Sequence, residues 1–446
     1  MESHITQTVR ATQQDRIVGC IFGSALGDTI GLYTEHMIPA QALQEYPTRW
    51  FTLLPLSEPT PFARDPHRRK FHLRHWTDET DQALCILLSC LHSNGEFFPA
   101  DLAERLNIWA EQGLRALDTM PLGAGRKLSE LVTGSEYLDD PEEAATEYWV
   151  SEGFFPASNK SLTRTYPLGL LCIGKNITKT FNIAAAYSVI THVDPRCIVS
   201  CAIGTALVSG FASGQAFEER YIDDVIEEAV DWYDIYRMQQ EDEDPAASEY
   251  PDLDREELDR HVVANRLDDL QLDQYGKISY VYKTLGSGIL LLRLALRSIA
   301  RADGKLSAQL PLFRQLITDL AMCGGDADAN CCFAGALLGS LLGFKALPLH
   351  WRGGLQHRDW LMGKAESLCQ MLGVVDGHYD GANDMDRAID GGRGLLTPKQ
   401  IAHRRFSHLE ATERLRKRHE AVLRRSQACS RKKGDGNIAP NGAASV

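Results

Sequence analysis

Apolar residues recur at three- and four-residue intervals along most of the chain, and sustained alternation of apolar and polar residues is rare. This periodicity predicts helices rather than strands. Proline and cap signals at Pro99, Asp194-Pro195 and Thr397-Pro398 mark the starts of three of them. The predicted helices span about 17–31, 79–93, 99–116, 180–191, 195–211, 216–238, 278–300, 308–322, 329–345, 357–372 and 397–425. No repeat with a period of 20–50 residues is present, so we expect one large all-α domain.

Two of the predicted helices carry glycine at every fourth position. These glycines are Gly19, Gly23, Gly27 and Gly31 in the first helix, and Gly335, Gly339 and Gly343 at the second. A glycine in a helix interior costs about 1 kcal/mol relative to alanine. A close approach of two helices would offset that cost, so we predict that these two helices pack together at the centre of the fold.

Two clusters of oxygen-bearing side chains precede apolar helices. They are Thr77-Asp78-Glu79-Thr80-Asp81 and Gly324-Gly325-Asp326-Ala327-Asp328. Each cluster alone is explained as a helix N-terminus, where acids and caps are favoured. Together they also suit hard cations such as Mg²⁺, and a two-metal site about 4 Å across would orient hydroxyls and a water nucleophile. No His/Cys set has zinc spacing, so an oxygen-ligated metal is favoured.

In order and spacing these residues resemble the ADP-ribosylglycohydrolase family, which includes the dinitrogenase-reductase-activating glycohydrolase. The resemblance covers about residues 15–375. Its motifs are Gly27-Asp28-Thr29-Ile30-Gly31 followed by Glu35, then Trp76-Thr77-Asp78-Glu79-Thr80, and finally Gly324-Gly325-Asp326-Ala327-Asp328. The stretch from Ala157 to Arg164 is similar to the family loop that contacts ADP-ribose, and Thr191-His192 matches its Thr-His pair.

The resemblance implies a single large orthogonal helical bundle and a metal-dependent hydrolase. Its substrate would be the bond between the distal ribose of ADP-ribose and a protein side chain or small acceptor. The family binds two divalent ions, usually Mg²⁺ and in some members Mn²⁺. The implied metal ligands are Thr77, Asp78, Glu79, Asp326 and Asp328, and the implied catalytic residue is Glu35. The implied substrate contacts are Ser158, Asn159, Ser161, Arg164 and His192.

Three residues depart from the family pattern. Glu79 replaces an aspartate, Ala329 replaces a threonine or serine that would ligate the second ion, and Lys160 replaces a glycine of the substrate loop. We expect Lys160 either to crowd the substrate phosphates or to pair with them. These departures keep a second hypothesis open, a catalytically weakened member that binds ADP-ribose or serves as a structural or interaction protein. A two-metal phosphohydrolase would use the same ligands but has no role for the substrate loop.

Composition restricts the partners and the compartment. The chain has 446 residues, 47 basic and 60 acidic, and a net charge of −13, which argues against nucleic-acid binding by the whole surface. The N-terminus lacks the apolar core of a signal peptide, and charges at Arg293 and Arg297 interrupt the longest apolar run, so we expect no membrane span. The eleven cysteines form no CxxC pair, which is typical of reduced, buried thiols. We therefore expect a cytoplasmic protein.

We predict three regions along the chain. The family-like domain covers 15–375 and contains an acidic insertion at about 239–273, which we expect to be a solvated segment between helices. A C-terminal helical extension would cover 376–425. Residues 426–446 are expected to form a disordered basic tail, whose lysines and arginine would also suit nuclear targeting.

Overall fold

The computed structural model describes residues 4–56, 58–123, 125–155, 157–302 and 309–408, together with 410, 411, 413, 414 and 417. Within these residues the secondary structure is helical, and the one β-feature is an isolated bridge between Ser158 and Tyr280. The predicted all-α fold class is confirmed. The predicted tail at 426–446 lies outside the described residues.

The α-helices are numbered here along the described chain. They are α1 (His4–Gly31), α2 (Pro39–Glu45), α3 (Asp78–His92), α4 (Pro99–Gln112), α5 (Arg126–Val132), α6 (Pro141–Ser151), α7 (Lys160–Thr163), α8 (Tyr166–Leu171), α9 (Ile177–Val189), α10 (Pro195–Ser213), α11 (Glu219–Glu243), α12 (Arg255–Val262), α13 (Val281–Arg301), α14 (Leu312–Ala321), α15 (Ala327–Leu342), α16 (Leu349–Arg352) and α17 (Arg358–Met371). Residues 398–408 are also helical. The 3₁₀ turns are Arg68–Lys70, Pro245–Glu249, Leu267–Leu270, Phe344–Ala346, Gly381–Asn383 and Met385–Arg387.

The long helices agree with the prediction from apolar periodicity. Their ends differ from the predicted ones by a few residues, except that α1 begins well before residue 17. The helix predicted from Thr397 is present over 398–408, and most of its remainder lies outside the described residues. The cap signals also act as predicted, since the Asp194 side chain accepts a hydrogen bond from Arg196 N at 2.9 Å at the start of α10.

The glycine faces of α1 and α15 pack directly against each other. A Cβ atom built on Gly23 would lie 2.2 Å from the carbonyl oxygen of Gly335, and one built on Gly335 would lie 2.1 Å from the carbonyl oxygen of Gly23. At Gly27 the corresponding distance to the carbonyl oxygen of Cys331 is 1.9 Å. The two backbones are therefore in contact, which confirms the predicted pairing. It joins the two ends of the family-like region, which are far apart in sequence.

The described chain divides into two compact units. The first comprises the described residues up to Ala63 and those of 71–395, and the second comprises 64–70 and the described residues from 396 onwards. Residues 376–395, which we assigned to a C-terminal extension, thus lie within the first unit. All of the site residues considered below belong to this first unit.

Helix α10 lies in the core of the first unit. By length and apolar composition it could cross a membrane, but 83% of its most apolar window is buried inside the fold. A buried core helix of a soluble protein has the same composition. The described cysteines are free thiols, and all of them except Cys323 are buried.

The acidic segment at about 239–273 is more ordered than its composition indicates. It contains the end of α11, all of α12 and two 3₁₀ turns. Leu258 and Val262, one helical turn apart on α12, are buried together with Leu270. Apolar side chains at helical spacing bury one face of this segment and leave its acidic face to solvent.

Candidate active site

Asp28, near the end of α1, holds the N-terminus of α3. Its carboxylate accepts hydrogen bonds from Thr77 N at 2.9 Å, from Thr80 N at 3.0 Å and from Thr80 Oγ1 at 2.6 Å. Asp28 is fully buried, and burial raises the pKa of its carboxyl to about 7 despite these hydrogen bonds. A residue of α1 thus caps α3 and fixes the first turn that carries Asp78 and Glu79.

A two-glycine turn places the start of α15 beside the segment that follows α1. Gly324 and Gly325 have φ of 68° and 66°, which other residues rarely adopt. A Cβ on Gly324 would lie 2.0 Å from the carbonyl oxygen of Met37. The turn is also bonded to that segment, since Gly325 N donates to Met37 O at 2.9 Å and His36 N donates to Gly325 O at 2.6 Å. Glu35 is thereby brought to the start of α15.

The structure gathers five buried carboxylates into two overlapping groups. Oxygen atoms of Glu35, Asp326 and Asp328 lie within 4.8 Å of one another, and so do oxygen atoms of Asp78, Glu79 and Asp328. None of the five residues is more than 7% exposed. The predicted ligands and the predicted catalytic glutamate therefore meet in one place, and Asp328 is common to both groups.

The oxygen atoms of Asp328 are incompletely satisfied. Oδ2 accepts from Thr77 Oγ1 at 3.3 Å, whereas Oδ1 is buried and has no hydrogen-bond partner among the described residues. Burial is the main cause that raises the pKa of Asp328 well above its ordinary value, with Glu35 and Asp326 adding to it. A buried oxygen without a donor is costly, and ligation of a cation would satisfy it. The group of Glu35, Asp326 and Asp328 therefore fits a hard divalent ion.

The second group already holds a positive charge. Lys160 Nζ donates to Asp78 Oδ2 at 2.5 Å and also to Glu79 Oε1. Burial alone would lower the pKa of Lys160, but Asp78, Glu79 and neighbouring carboxylates outweigh it and raise the pKa well above the ordinary value. We expected Lys160 to face the substrate phosphates; it faces the acidic group instead, because buried carboxylates attract the nearest ammonium. Ala329, buried in α15, offers no ligand.

Further polar residues support the carboxylates from behind. Thr163 Oγ1 donates to Glu79 Oε2 at 2.5 Å. Asn159 Nδ2 donates to Asp326 Oδ2 at 2.8 Å and to Thr284 Oγ1 at 2.9 Å, and Thr284 Oγ1 donates to Asn330 Oδ1 at 2.6 Å. Asn159, predicted as a substrate contact, is thus placed as a partner of Asp326. Such outer partners orient metal ligands.

Arg164, Thr191 and His192 form a hydrogen-bonded chain. Buried Arg164 donates through Nη2 to Thr191 Oγ1 at 2.6 Å, and Thr191 Oγ1 lies 2.7 Å from His192 Nδ1. With the Thr191 hydroxyl as the donor to Nδ1, the imidazole proton lies on Nε2, the tautomer that we predict. Burial, followed by the charges of Arg164 and Lys160, lowers the pKa of His192 to about 3. His192 is therefore a neutral hydrogen-bond donor, and Arg164 orients it indirectly.

Two cavities lie next to residues that contact the carboxylates. One, of about 310 Å³, is lined by residues that include Ser158, Lys160 and His192. The other, of about 770 Å³, is lined by residues that include His36, Ser158 and Gly325. Lys160 bonds to Asp78 and Glu79, and His36 lies beside Glu35, but in the described part of the chain the five carboxylates are not themselves wall residues of either cavity.

The remaining substrate-loop residues point elsewhere. Ser161 is buried against α10, where Cys201 Sγ donates to its Oγ at 3.4 Å. In the described part of the chain, the walls of the two cavities include Ser158 and His192 but not Asn159, Ser161 or Arg164. Of the five predicted substrate residues, two therefore line a cavity and three do not.

Four supporting residues were absent from the sequence-based site. They are Asp28, Thr163, Thr284 and Asn330, all fully buried or nearly so. The available signal was a polar side chain inside an otherwise apolar helix, as for Thr284 in α13 and Asn330 in α15. A polar residue in an apolar helix indicates a buried hydrogen bond, but the sequence does not show which residue is its partner.

Comparison with known proteins identifies the family of the chain. The model of a family described as ADP-ribosylglycohydrolase matches residues 9–378. Among 46 matching chains of solved structures, one titled "ADP-ribosylglycohydrolase-related protein complex" is 19% identical with a TM-score of 0.47. That match covers 81% of this chain and 99% of the other. A search of curated proteins finds no match.

Proposed function

Because the chain belongs to the ADP-ribosylglycohydrolase family, we propose that it hydrolyses the glycosidic bond between the distal ribose of ADP-ribose and an acceptor, with the aid of a divalent cation. The acceptor would be a protein side chain or a small molecule. The observation that carries this proposal is the convergence of five buried carboxylates from both ends of the family-like region. Lys160 and His36, which contact these carboxylates, each line a cavity.

The cation would be held by Glu35, Asp326 and Asp328, with the Thr77 hydroxyl beside them. An all-oxygen ligand set favours Mg²⁺, and Mn²⁺ accepts the same ligands. When bound, such an ion would orient ribose hydroxyls and make water a better nucleophile. The unpartnered Oδ1 of Asp328 supports this assignment, since among the described residues nothing donates to it.

We assign to Glu35 the transfer of the proton from the attacking water. Glu35 is 7% exposed, and the Nε2 atom of His36, which lines the larger cavity, lies 3.2 Å from Glu35 Oε1. In the proposed reaction the water oxygen bonds to the anomeric carbon while the bond from that carbon to the acceptor breaks. Glu35 takes the proton from the water, and the acceptor leaves with the bonding electron pair and gains a proton.

The larger cavity has the chemistry of a nucleotide site. Its walls include Lys277, which could pair with a phosphate, and exposed rings at Phe155 and Tyr275, which could stack on a base. Arg196 also lines this cavity, but its guanidinium is paired with Asp194. His192 Nε2–H and Ser158 would offer hydrogen bonds near the carboxylates. A nucleoside diphosphate with its distal ribose directed inwards fits this order of groups.

A direct assay tests the proposed function. The purified protein is incubated with ADP-ribosyl-arginine peptide, ADP-ribosyl-serine peptide and O-acetyl-ADP-ribose, in Mg²⁺, in Mn²⁺ or in EDTA, and released ADP-ribose is separated by chromatography. We expect release from at least one substrate, and its loss in EDTA. Absence of release from all three with either metal would contradict the proposal, as would undiminished release in EDTA.

A further inference from the structure

The contact between Lys160 and the acidic group distinguishes the two halves of the site. Its ammonium lies at hydrogen-bond distance from Asp78 and Glu79, which are 2% and 0% exposed in their side chains. The Lys160 side chain itself is 16% exposed. An ammonium is a compact point charge with three donors, which suits it to this position.

Asp78 Oδ2 and both carboxylate oxygens of Glu79 already accept hydrogen bonds from side chains on this side. Asp78 Oδ2 accepts from both Lys160 Nζ and Gln82 Nε2, the latter at 3.1 Å. Glu79 Oε1 accepts from Lys160 and Oε2 accepts from Thr163. An ion entering this group would have to displace the ammonium from both carboxylates. Unpaired buried charges are strongly disfavoured, so the ammonium and a divalent ion would compete for the same oxygens.

The other side of the site is different. Oδ1 of Asp328 lacks a donor among the described residues, and Asp328 also belongs to the group with Glu35 and Asp326. In that group Asn159 Nδ2 donates to Asp326 Oδ2 at 2.8 Å, and His36 Nε2 lies 3.2 Å from Glu35 Oε1. Binding of a cation between Glu35, Asp326 and Asp328 would satisfy Asp328 Oδ1.

We propose that the Lys160 ammonium takes the place of one of the two cations, so that the site binds a single divalent ion, held by Glu35, Asp326 and Asp328. This inference rests on the proposed metal-dependent function, because it concerns the same site. The tethered charge supplies one positive charge where an ion would supply two. It cannot be removed by a chelator.

The test counts metal ions in the full-length protein. Mn²⁺ is the probe, its stoichiometry is measured by calorimetric titration, and its electron paramagnetic resonance spectrum reports whether two ions are close enough to couple. The variants are Lys160→Gly, Lys160→Ala, which avoids additional backbone freedom in α7, and Lys175→Ala, which removes an exposed lysine elsewhere.

We expect one Mn²⁺ per chain and the spectrum of an isolated ion for the unaltered protein and for Lys175→Ala. For Lys160→Gly and Lys160→Ala we expect two ions per chain and a spin-coupled spectrum. Two ions in the unaltered protein would overturn the inference and leave the proposed function standing. One ion in all forms would also overturn it, since Lys160 would not be what excludes the second ion. Binding of no ion by any form would overturn both the inference and the metal dependence of the proposed function.

Discussion

Among single residues, Asp328 has the most consequences because it is shared by both carboxylate groups. Replacement Asp328→Asn keeps the shape of the side chain but removes the charge. Loss of a residue that only supports a metal ligand lowers metal affinity about 10- to 100-fold. Asp328 is a proposed ligand, so we expect Asp328→Asn to lower the affinity by about 100-fold or more and to abolish turnover. Calorimetric titration of Mg²⁺ and the ADP-ribose release assay measure the two effects. Asp359→Asn, at a side chain that is 90% exposed, is the matched control and should change neither.

Asn159 tests the support behind the metal ligands. Its side chain holds Asp326 Oδ2 at 2.8 Å and is fully buried. Without this hydrogen bond Asp326 is less well oriented, so Asn159→Ala should weaken Mg²⁺ binding about 10- to 100-fold. Ser161→Ala, in the same loop but directed to Cys201, should leave the affinity unchanged. Equal affinities for the two variants would show that Asn159 does not orient the ligand.

His192 offers a test that depends on pH. Because its pKa lies near 3 in the folded protein and near 6.5 in a free chain, the folded state prefers the neutral ring. Its contribution to stability is complete above about pH 6.5 and is lost as the pH falls towards 3. Histidine-selective nuclear magnetic resonance, with the signal assigned through His192→Gln, should show a neutral ring protonated at Nε2 from pH 5 to 8. A signal that titrates within this range would refute the assignment.

At this scale the sequence predicted the residue types better than their directions. The five carboxylates were identified from motifs and a family resemblance, and they do converge. The direction of Lys160 was not readable, because it depends on how α7 lies against the start of α3. Asn159 and Arg164 were predicted to contact the substrate. A loop motif does not show which of its side chains face a cavity and which face the interior of the fold.

At the scale of helices, the contact between α1 and α15 positions the site. Gly27 faces the backbone of Cys331, so Gly27→Ala would place a Cβ 1.9 Å from a carbonyl oxygen that cannot move independently. We expect the free energy of unfolding to fall by about 1–3 kcal/mol or more, as for overpacked cores. Urea unfolding followed by circular dichroism measures the change.

Gly363 is the matched control for this substitution. It lies within α17 and is exposed, and a Cβ built there meets none of the described atoms within 4 Å. Gly363→Ala should therefore stabilise the protein by about 0.5–1 kcal/mol through helix propensity. Similar changes in the free energy of unfolding for Gly27→Ala and Gly363→Ala would contradict the conclusion that the contact between α1 and α15 requires glycine.

Helix length explains which elements were predictable. Long helices such as α10 and α13 contain several turns, so their apolar periodicity is clear. The short helices α7 and α16 have four residues each and show no such period. Their positions are set by contacts with the longer helices, and the local sequence does not predict these contacts.

For the molecule as a whole, we propose that the carboxylate groups and the neighbouring cavities act as one cation-dependent ADP-ribose site. The family model covers residues 9–378, and the described site lies within that range. The alternatives differ in how ligand and metal are linked. A member that only binds ADP-ribose would not need the ion, and a structural member would not bind the ligand.

The most direct measurement is calorimetric titration of ADP-ribose into the full-length protein, first in EDTA and then in excess Mg²⁺. Linkage requires that a ligand held partly by the ion binds more tightly when the ion is present. We expect clear binding in Mg²⁺ and at least about a tenfold loss of affinity, or about 1.4 kcal/mol, in EDTA. Equal affinity in both conditions, or no binding in either, would contradict a cation-dependent ADP-ribose site.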